Sequence, residues 1–171
     1  MTEPDLESRR EIYQAVTDEP GIHVRRIVDR LAYAKGTVQY HLRRLTDEGL
    51  LEASDDGKYT RYYPAGEFTA EEQTVMNALR RTYSRRIIAH LLADGPLSTS
   101  ALSERLEKAN STVSWHLSEL HEAGLVEKER RGTSVDYALT DPDRARYLYT
   151  VYRGSFTDRL VDRLLGLWEG Y

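Results

Sequence analysis

Residues 30–52, RLAYAKGTVQYHLRRLTDEGLLE, and residues 105–127, RLEKANSTVSWHLSELHEAGLVE, lie 75 positions apart, and their likeness decides the fold. Eleven of the 23 aligned pairs are identical, with no gap, including Thr37/Thr112, Val38/Val113, His41/His116, Leu42/Leu117, Leu45/Leu120 and Gly49/Gly124. The match extends upstream to Ile12/Ile87 and Pro20-Gly21/Gly95-Pro96, and downstream to Gly57/Gly132 and Tyr62/Tyr137. Self-similarity over such a span means two copies of one small domain.

Each copy follows the same order of elements. A first helix carries Ile12, Ala15 and Val16, or Ile87, Leu91 and Leu92, and ends at the Pro/Gly pair, which breaks helices. A second helix places Val24, Ile27, Val28 and Leu31 on one stripe, matched by Leu102 and Leu106. After a short turn a third helix sets Val38, Leu42 and Leu45 at i, i+4 and i+7. Gly49 and Gly124 stand where a helix end favours a positive φ. LLEAS and KYTRYYP then flank Asp55-Asp56-Gly57 as a hairpin, repeated by LVEKER and TSVDYAL around Arg131-Gly132. Helix, helix, turn, helix and hairpin make a winged helix-turn-helix.

Outside the repeats the chain reads as helical. Thr69-Ala-Glu-Glu72 has the spacing of a capping box, and Asp141-Pro142 supplies an N-cap followed by proline. Beyond it, Tyr149, Tyr152, Phe156, Leu160, Leu164 and Leu167 recur at three- and four-residue steps, with Gly154-Ser155 as a candidate break. Such a stripe either packs within the chain or pairs with its two-fold copy, and dimerisation is preferred. The fold class is mainly α with small β-wings, an α+β arrangement of two tandem winged helix-turn-helix domains plus linker and C-terminal helices. The expected divisions are 1–66, a linker helix over 67–83, 84–140, and a C-terminal helix over 141–171 for dimerisation.

Composition narrows the function. The chain has 171 residues, 24 Lys and Arg against 28 Asp and Glu, a net charge of −4, and no cysteine. Disulfides, thiolate metal sites and cysteine nucleophiles are therefore excluded. No apolar run approaches the roughly 18 residues of a membrane span, and the start MTEPDLESRR lacks the apolar region of a secretory signal. A cytoplasmic location is expected. Arginine outnumbers lysine 20 to 4, which suits a salt-rich cytoplasm or a GC-rich genome. Because the chain is net acidic, any nucleic-acid contact must come from a local patch. His23, His90 and His121 show no ligand spacing, no phosphate loop is present and no Ser-His-Asp order stands out. Neither an enzyme, nor a metal site, nor a cofactor is expected.

The local patch is the outward face of the third helix. With Val38, Leu42 and Leu45 inward, helix 35–48 presents Lys35, Gly36, Thr37, Gln39, Tyr40, Arg43 and Arg44. Gln pairs bidentately with adenine, and Arg with guanine or phosphate. Gly36 permits close approach of a phosphate to the helix start. Wing 55–62 adds Lys58, Tyr59 and Arg61 for the backbone or minor groove. The second copy offers Asn110, Ser111, Thr112, Ser114, Trp115, Ser118 and Glu119, without a cation, and Arg130 and Arg131 in its wing. The first copy is expected to dominate affinity. Trp115 suits either a thymine methyl or a protein interface. His41 and His116 are read as locally bonded, with a phosphate contact as the alternative.

KGTVQYHLRRLTDEGLL and NSTVSWHLSELHEAGLV resemble recognition helices of archaeal and bacterial winged-helix transcriptional regulators of the ArsR and MarR type. The resemblance covers about residues 9–140. It implies a sequence-specific regulator of double-stranded DNA, commonly a homodimer through helices outside the winged domain. Carried over by position, the reading residues are Lys35, Thr37, Gln39, Tyr40 and Arg43, with Asn110, Thr112, Ser114, Trp115 and Ser118 in the second copy. Three features depart from the pattern: Ala34 and Ala109 stand at the usual Ser or Thr cap, metal-sensing cysteines are missing, and two readers share one chain. Tandem winged domains also serve as protein-interaction scaffolds, which is the alternative reading. An effector is not readable from the chain.

Overall fold

The computed structural model describes residues 2–156, in two compact units that divide after Asn77. In the first unit α1 (Glu3–Asp18) is followed by β1 (Ile22–His23), α2 (Val24–Leu31), α3 (Lys35–Asp47), β2 (Leu51–Asp55) and β3 (Thr60–Pro64). Helix α4 (Ala70–Leu79) comes next, opened by the anticipated box: Glu72 N–H donates to Thr69 Oγ1 at 3.2 Å, and Thr69 N–H to Glu72 Oε2 at 3.0 Å. The second unit repeats the order as α5 (Thr82–Asp94), β4 (Leu97–Ser98), α6 (Thr99–Leu106), α7 (Asn110–Glu122), β5 (Val126–Arg131) and β6 (Ser134–Leu139). Both units are winged helix-turn-helix folds: mostly helical, with a small antiparallel sheet as the wing.

The sheets hold one strand more than the hairpin signals indicate. β1 pairs with β3 in the register Ile22↔Tyr62 and His23↔Arg61, giving the order β1-β3-β2. β4 does the same in the second unit, with Leu97↔Tyr137 and the order β4-β6-β5. Two residues carry no period-2 signal, so these strands exist only through their long-range partners. They tie the start of the second helix to the root of the wing.

The core of the first unit is the cluster Ile12, Val16, Ile22, Ile27, Val38, Leu42, Leu45 and Leu51. The i, i+4, i+7 stripe of α3 is thus the floor on which α1 and α2 rest. Val113, Leu117 and Leu120 of α7 are buried in the same way. Neither Ala34 nor Ala109 makes a side-chain cap, so the first turns of α3 and α7 keep N–H groups free of a capping side chain. Helix α2 ends on Ala32 and α6 on Glu107, both left-handed, at φ 59 and 53. That conformation turns the chain sharply into the third helix.

At the C-terminal side Asp141 caps α8 (Pro142–Tyr152), accepting the Arg144 N–H at 3.0 Å. The helix does not continue at this register. It tightens into a 3₁₀ turn over Arg153–Ser155, where Gly154 and Ser155 stand. Tyr149, expected on a dimer face, is instead 1% exposed and stacked on Phe156 at 5.2 Å within its own unit. Tyr152 is half-buried, and the exposed residues of α8 include Tyr147 and Val151. Leu160, Leu164 and Leu167 lie outside the described residues.

Histidines sit at interior joints of this framework. Ser8 Oγ lies within hydrogen-bond distance of both the Asp5 carbonyl, at 3.1 Å, and His41 Nε2, at 2.9 Å. His41 therefore bonds locally and is 2% exposed. His23 caps α2, its Nδ1 accepting the Arg26 N–H at 3.2 Å. Burial lowers the pKa of His23, His41, His90 and His116; Arg61, Arg105 and Arg81 add to it for His23, His90 and His116, and Arg9 for His41. The unfolded chain takes up these protons first, so their contribution to stability is complete above about pH 6.5 and declines as pH falls below it. The lowered carboxylates, Asp5, Glu48 and Asp56, act only in stronger acid. We expect the melting temperature to fall by roughly 5 °C between pH 7 and pH 5. A melting temperature flat across that range would contradict the assignment.

Candidate nucleic-acid interface

A groove of about 890 Å³ opens in the first unit between α2, α3 and the wing. Helix α3 contributes Lys35, Gln39, Arg43, Thr46 and Asp47, α2 contributes Val24, Arg25 and Val28, and the hairpin contributes Ala53, Lys58, Tyr59, Thr60 and Tyr62. Helical periodicity explains the first set: 35, 39, 43 and 46 recur at three- and four-residue steps on the flank nearest the wing. Four cations, Arg25, Lys35, Arg43 and Lys58, thus line the groove together with a single carboxylate, Asp47. A net acidic chain concentrates positive charge here.

The cations differ in availability. Arg43 and Lys35 are exposed and have no carboxylate partner among the described residues. Arg44 lies on the other flank of α3 and donates to Glu48 Oε1 at 3.4 Å. Glu48 also binds Arg9, and the Arg9 and Arg44 guanidiniums hold its carboxyl below the usual range. Gly36 is exposed, with open space around its Cα, Thr37 is half-buried, and Tyr40 is 53% exposed with its ring edge-on to His41.

The wing root corrects one expectation. Arg61, read as a backbone contact, is 3% exposed. Its Nε binds Asp56, and its Nη1 donates to the Gly21 carbonyl at 2.9 Å. Strand alternation provides the reason: 61 and 63 share a face of β3, and Tyr63 is fully buried. Asp56 Oδ1 also accepts the Lys58 and Tyr59 N–H groups, at 2.9 and 2.7 Å. Burial raises the Asp56 pKa, but the Tyr59 and Lys58 N–H groups and the Arg61 guanidinium outweigh it and hold the carboxyl low. On the outer side Tyr59 stacks on His23, centroids 4.1 Å apart, with Lys58 Nζ 5.2 Å from its ring centre. Arg61 is a tie between wing and β1, and Lys58 is left as the wing's groove-lining cation.

A sequence signal for this tie exists. At a shift of 75, Asp56 and Arg61 align with Arg131 and Asp136, the same pair with its charges exchanged. Arg131 Nε lies 3.6 Å from Asp136 Oδ2, and here the arginine is largely exposed. Tyr59, expected at the wing, lines the groove, and so does His23, which the sequence did not mark, because β1 brings position 23 beside the wing.

The second unit presents its recognition face differently. Asn110, Ser111, Thr112, Ser114 and Ser118 are exposed along α7, Trp115 is 54% exposed, and Arg130 and Arg131 are exposed in the wing. Among the described residues, no group of three His, Asp or Glu side chains is arranged to hold a metal ion, and no helix is long and apolar enough to cross a membrane.

Comparison with known proteins matches both units to helix-turn-helix domains. Residues 6–76 match a family described as an N-terminal HTH domain, and residues 83–129 match a helix-turn-helix domain family. An uncharacterized HTH-type transcriptional regulator of Methanocaldococcus jannaschii is 26% identical over 135 residues, 79% of this chain and 34% of the relative. The chain thus spans about a third of that relative's length. The biofilm growth-associated repressor of Agrobacterium fabrum is 30% identical over 89 residues, 52% of this chain and 76% of the repressor. Among solved structures, HlyU from Vibrio cholerae aligns with a TM-score of 0.44 and 27% identity, over 52% of this chain and 95% of that one. A homodimeric winged helix-turn-helix DNA-binding domain from Mycobacterium bovis gives 0.42 and 26%, over 57% and 94%. The two sequence relatives are named as a transcriptional regulator and a repressor, and this chain belongs to the winged helix-turn-helix transcriptional regulators, in a form with two such domains in tandem.

Proposed function

We propose that the chain is a sequence-specific regulator that reads double-stranded DNA mainly with α3 of its first unit. The observation that carries this reading is the groove in which Lys35, Gln39 and Arg43 of one helix flank stand with Arg25 and Lys58. A major groove admits a helix, and Gln and Arg are the side chains that distinguish adenine and guanine edges there. Gln39 and Arg43 take the base edges, while Lys35, Arg25 and Lys58 take phosphates. Thr37 and Tyr40 flank the reading residues, and Gly36 lets a phosphate approach the start of α3. Asp56 and Arg61 act indirectly, by fixing where the wing presents Lys58. In the second unit the α7 face and the wing residues Arg130 and Arg131 assist.

A homodimer fits the same reading, since a regulator with two-fold symmetry reads a palindrome. The exposed Tyr147 and Val151 on α8 support a contact through that helix. Where the chain acts in the cell follows from its target DNA, and a cytoplasmic location is proposed with it.

Selection of bound duplexes from a genomic DNA pool tests the core of the proposal. The wild type should enrich a motif, and a palindromic one if the dimer forms. Arg43→Ala should weaken binding to that motif at least about 10-fold and relax one base position. Arg44→Ala should weaken it less, because Glu48 already engages that guanidinium. Equal losses would overturn the assignment of Arg43, and no enrichment at low or high salt would overturn the proposal. Gly36→Ala should raise stability by about 0.5–1 kcal/mol through helix propensity yet lower DNA affinity. Arg61→Gln should destabilise the fold by about 3 kcal/mol, because it removes the guanidinium charge from beside the buried Asp56 carboxylate; a change under about 0.5 kcal/mol in urea unfolding would show that the tie is not needed.

A further inference from the structure

His23 stands at a position of the first unit where capping by itself does not call for an imidazole. It ends β1 and caps α2, its Nδ1 accepting the Arg26 N–H at 3.2 Å. The equivalent residue of the second unit is Ser98, whose Oγ accepts the Ala101 N–H at 3.1 Å. Serine is among the best residues for that task. The stacking partner changes as well: Tyr59 aligns with Ser134, and the neighbouring cations Arg25 and Lys58 align with Ser100 and Thr133. Imidazole, stacked ring and cations occur together in the first unit and are replaced together in the second.

The two contacts of His23 determine what is left of its ring. A backbone N–H can only donate, so Nδ1 is the acceptor and the proton of the neutral ring sits on Nε2. The Tyr59 ring, 4.1 Å away and inclined by 20°, covers one face and leaves the edge. Nε2 has no hydrogen-bond partner among the described residues. The ring lines the same groove as Arg25, Lys35, Arg43 and Lys58. Burial, with the Arg61 and Arg25 guanidiniums, lowers the pKa of His23 against the pull of Asp56 and Glu19, so the ring is neutral at about pH 7.5.

We infer that His23 is a phosphate-binding residue of the first unit, its Nε2–H donating to a backbone oxygen of the duplex alongside Arg25 and Lys58. The inference rests on the reading of α3 as the sequence reader. Such a contact fixes the register of the protein on the duplex and carries no sequence information. It differs from the lysine and arginine contacts in one measurable respect. A cation that neutralises a phosphate releases a condensed counterion, so its contribution fades as salt rises. A neutral donor releases none, and its contribution persists where charges are screened. With one nitrogen committed to α2 and one face to Tyr59, the donor is in place before DNA arrives, which lowers the ordering cost of binding. The rival is a packing role alone, in which the ring seats Tyr59 and thereby places Lys58.

The test uses the full chain and a duplex carrying the selected motif, at about pH 7.5 and over about 0.1–1 M salt. His23→Ser, which installs the cap of the second unit, should weaken binding about 5- to 10-fold at every salt concentration. The slope of log K against log salt should stay as in the wild type. Lys58→Ala should instead lose affinity mainly at low salt and reduce that slope by about one. Phosphate ethylation interference should lose one position in His23→Ser, while the selected motif stays the same. Equal melting temperatures of variant and wild type separate these effects from unfolding. A second reading needs no variant: in the wild-type chain, the Nε2–H proton resonance of His23 should move downfield when the duplex binds. A resonance unmoved by DNA overturns the assignment, as does unchanged affinity of His23→Ser. A slope reduced by about one in His23→Ser also overturns it and makes the ring a seat for Lys58. If the wild type enriches no motif, the reader proposal fails first, an outcome visible before any variant is compared.

Discussion

The burial of Val38, Leu42 and Leu45 is the constraint on which the first unit depends. These side chains are 0–1% exposed, in contact with Ile12, Val16 and Ile27. Fully burying an aliphatic side chain contributes about 1.5–3 kcal/mol, so this stripe supplies much of the adhesion between three short helices. It also fixes rotation. Once 38, 42 and 45 point inward, 35, 39 and 43 must face the wing, and 40 and 44 must face the other flank. The placement of every groove residue on α3 follows from a packing requirement.

The wing is positioned by polar chemistry. A two-stranded hairpin is marginal in water by itself. Here Asp56 gathers two backbone N–H groups and the Arg61 guanidinium, and Arg61 reaches back to the Gly21 carbonyl beside β1. The buried carboxylate is satisfied by these donors, which is the condition under which a buried ion pair is tolerable. Because β1 runs directly into the cap residue of α2, the same tie sets the wing against the helix-turn-helix. The second unit exchanges the charges and leaves the arginine in solvent, so its wing is held less tightly by this contact.

Duplication let the two surfaces diverge on a core of the same character. Every residue of the first core cluster has an apolar counterpart in the second copy, while the groove loses its cations. A net charge of −4 is compatible with DNA binding on these terms, because the field near a few convergent side chains matters more than the sum over the chain.

What the sequence determined by itself was everything set by local rules and by the repeat. Apolar spacing gave the helices, the Pro/Gly pairs and capping box gave their ends, and the gapless match gave two domains. Those signals depend on neighbours within a few residues, so they survive without knowledge of the fold. The candidate reading face was legible for the same reason, since a buried stripe at i, i+4, i+7 defines its own opposite side. Tertiary structure decided which polar side chains on that surface are available. Arg61 is taken by Gly21, 40 residues away, and Arg44 by Glu48 in the network with Arg9. Tyr149 is spent on Phe156 inside its own unit, and the two-residue strands exist only beside their partners. A charged or aromatic side chain is long enough to reach several partners, and only the folded chain selects which one it meets.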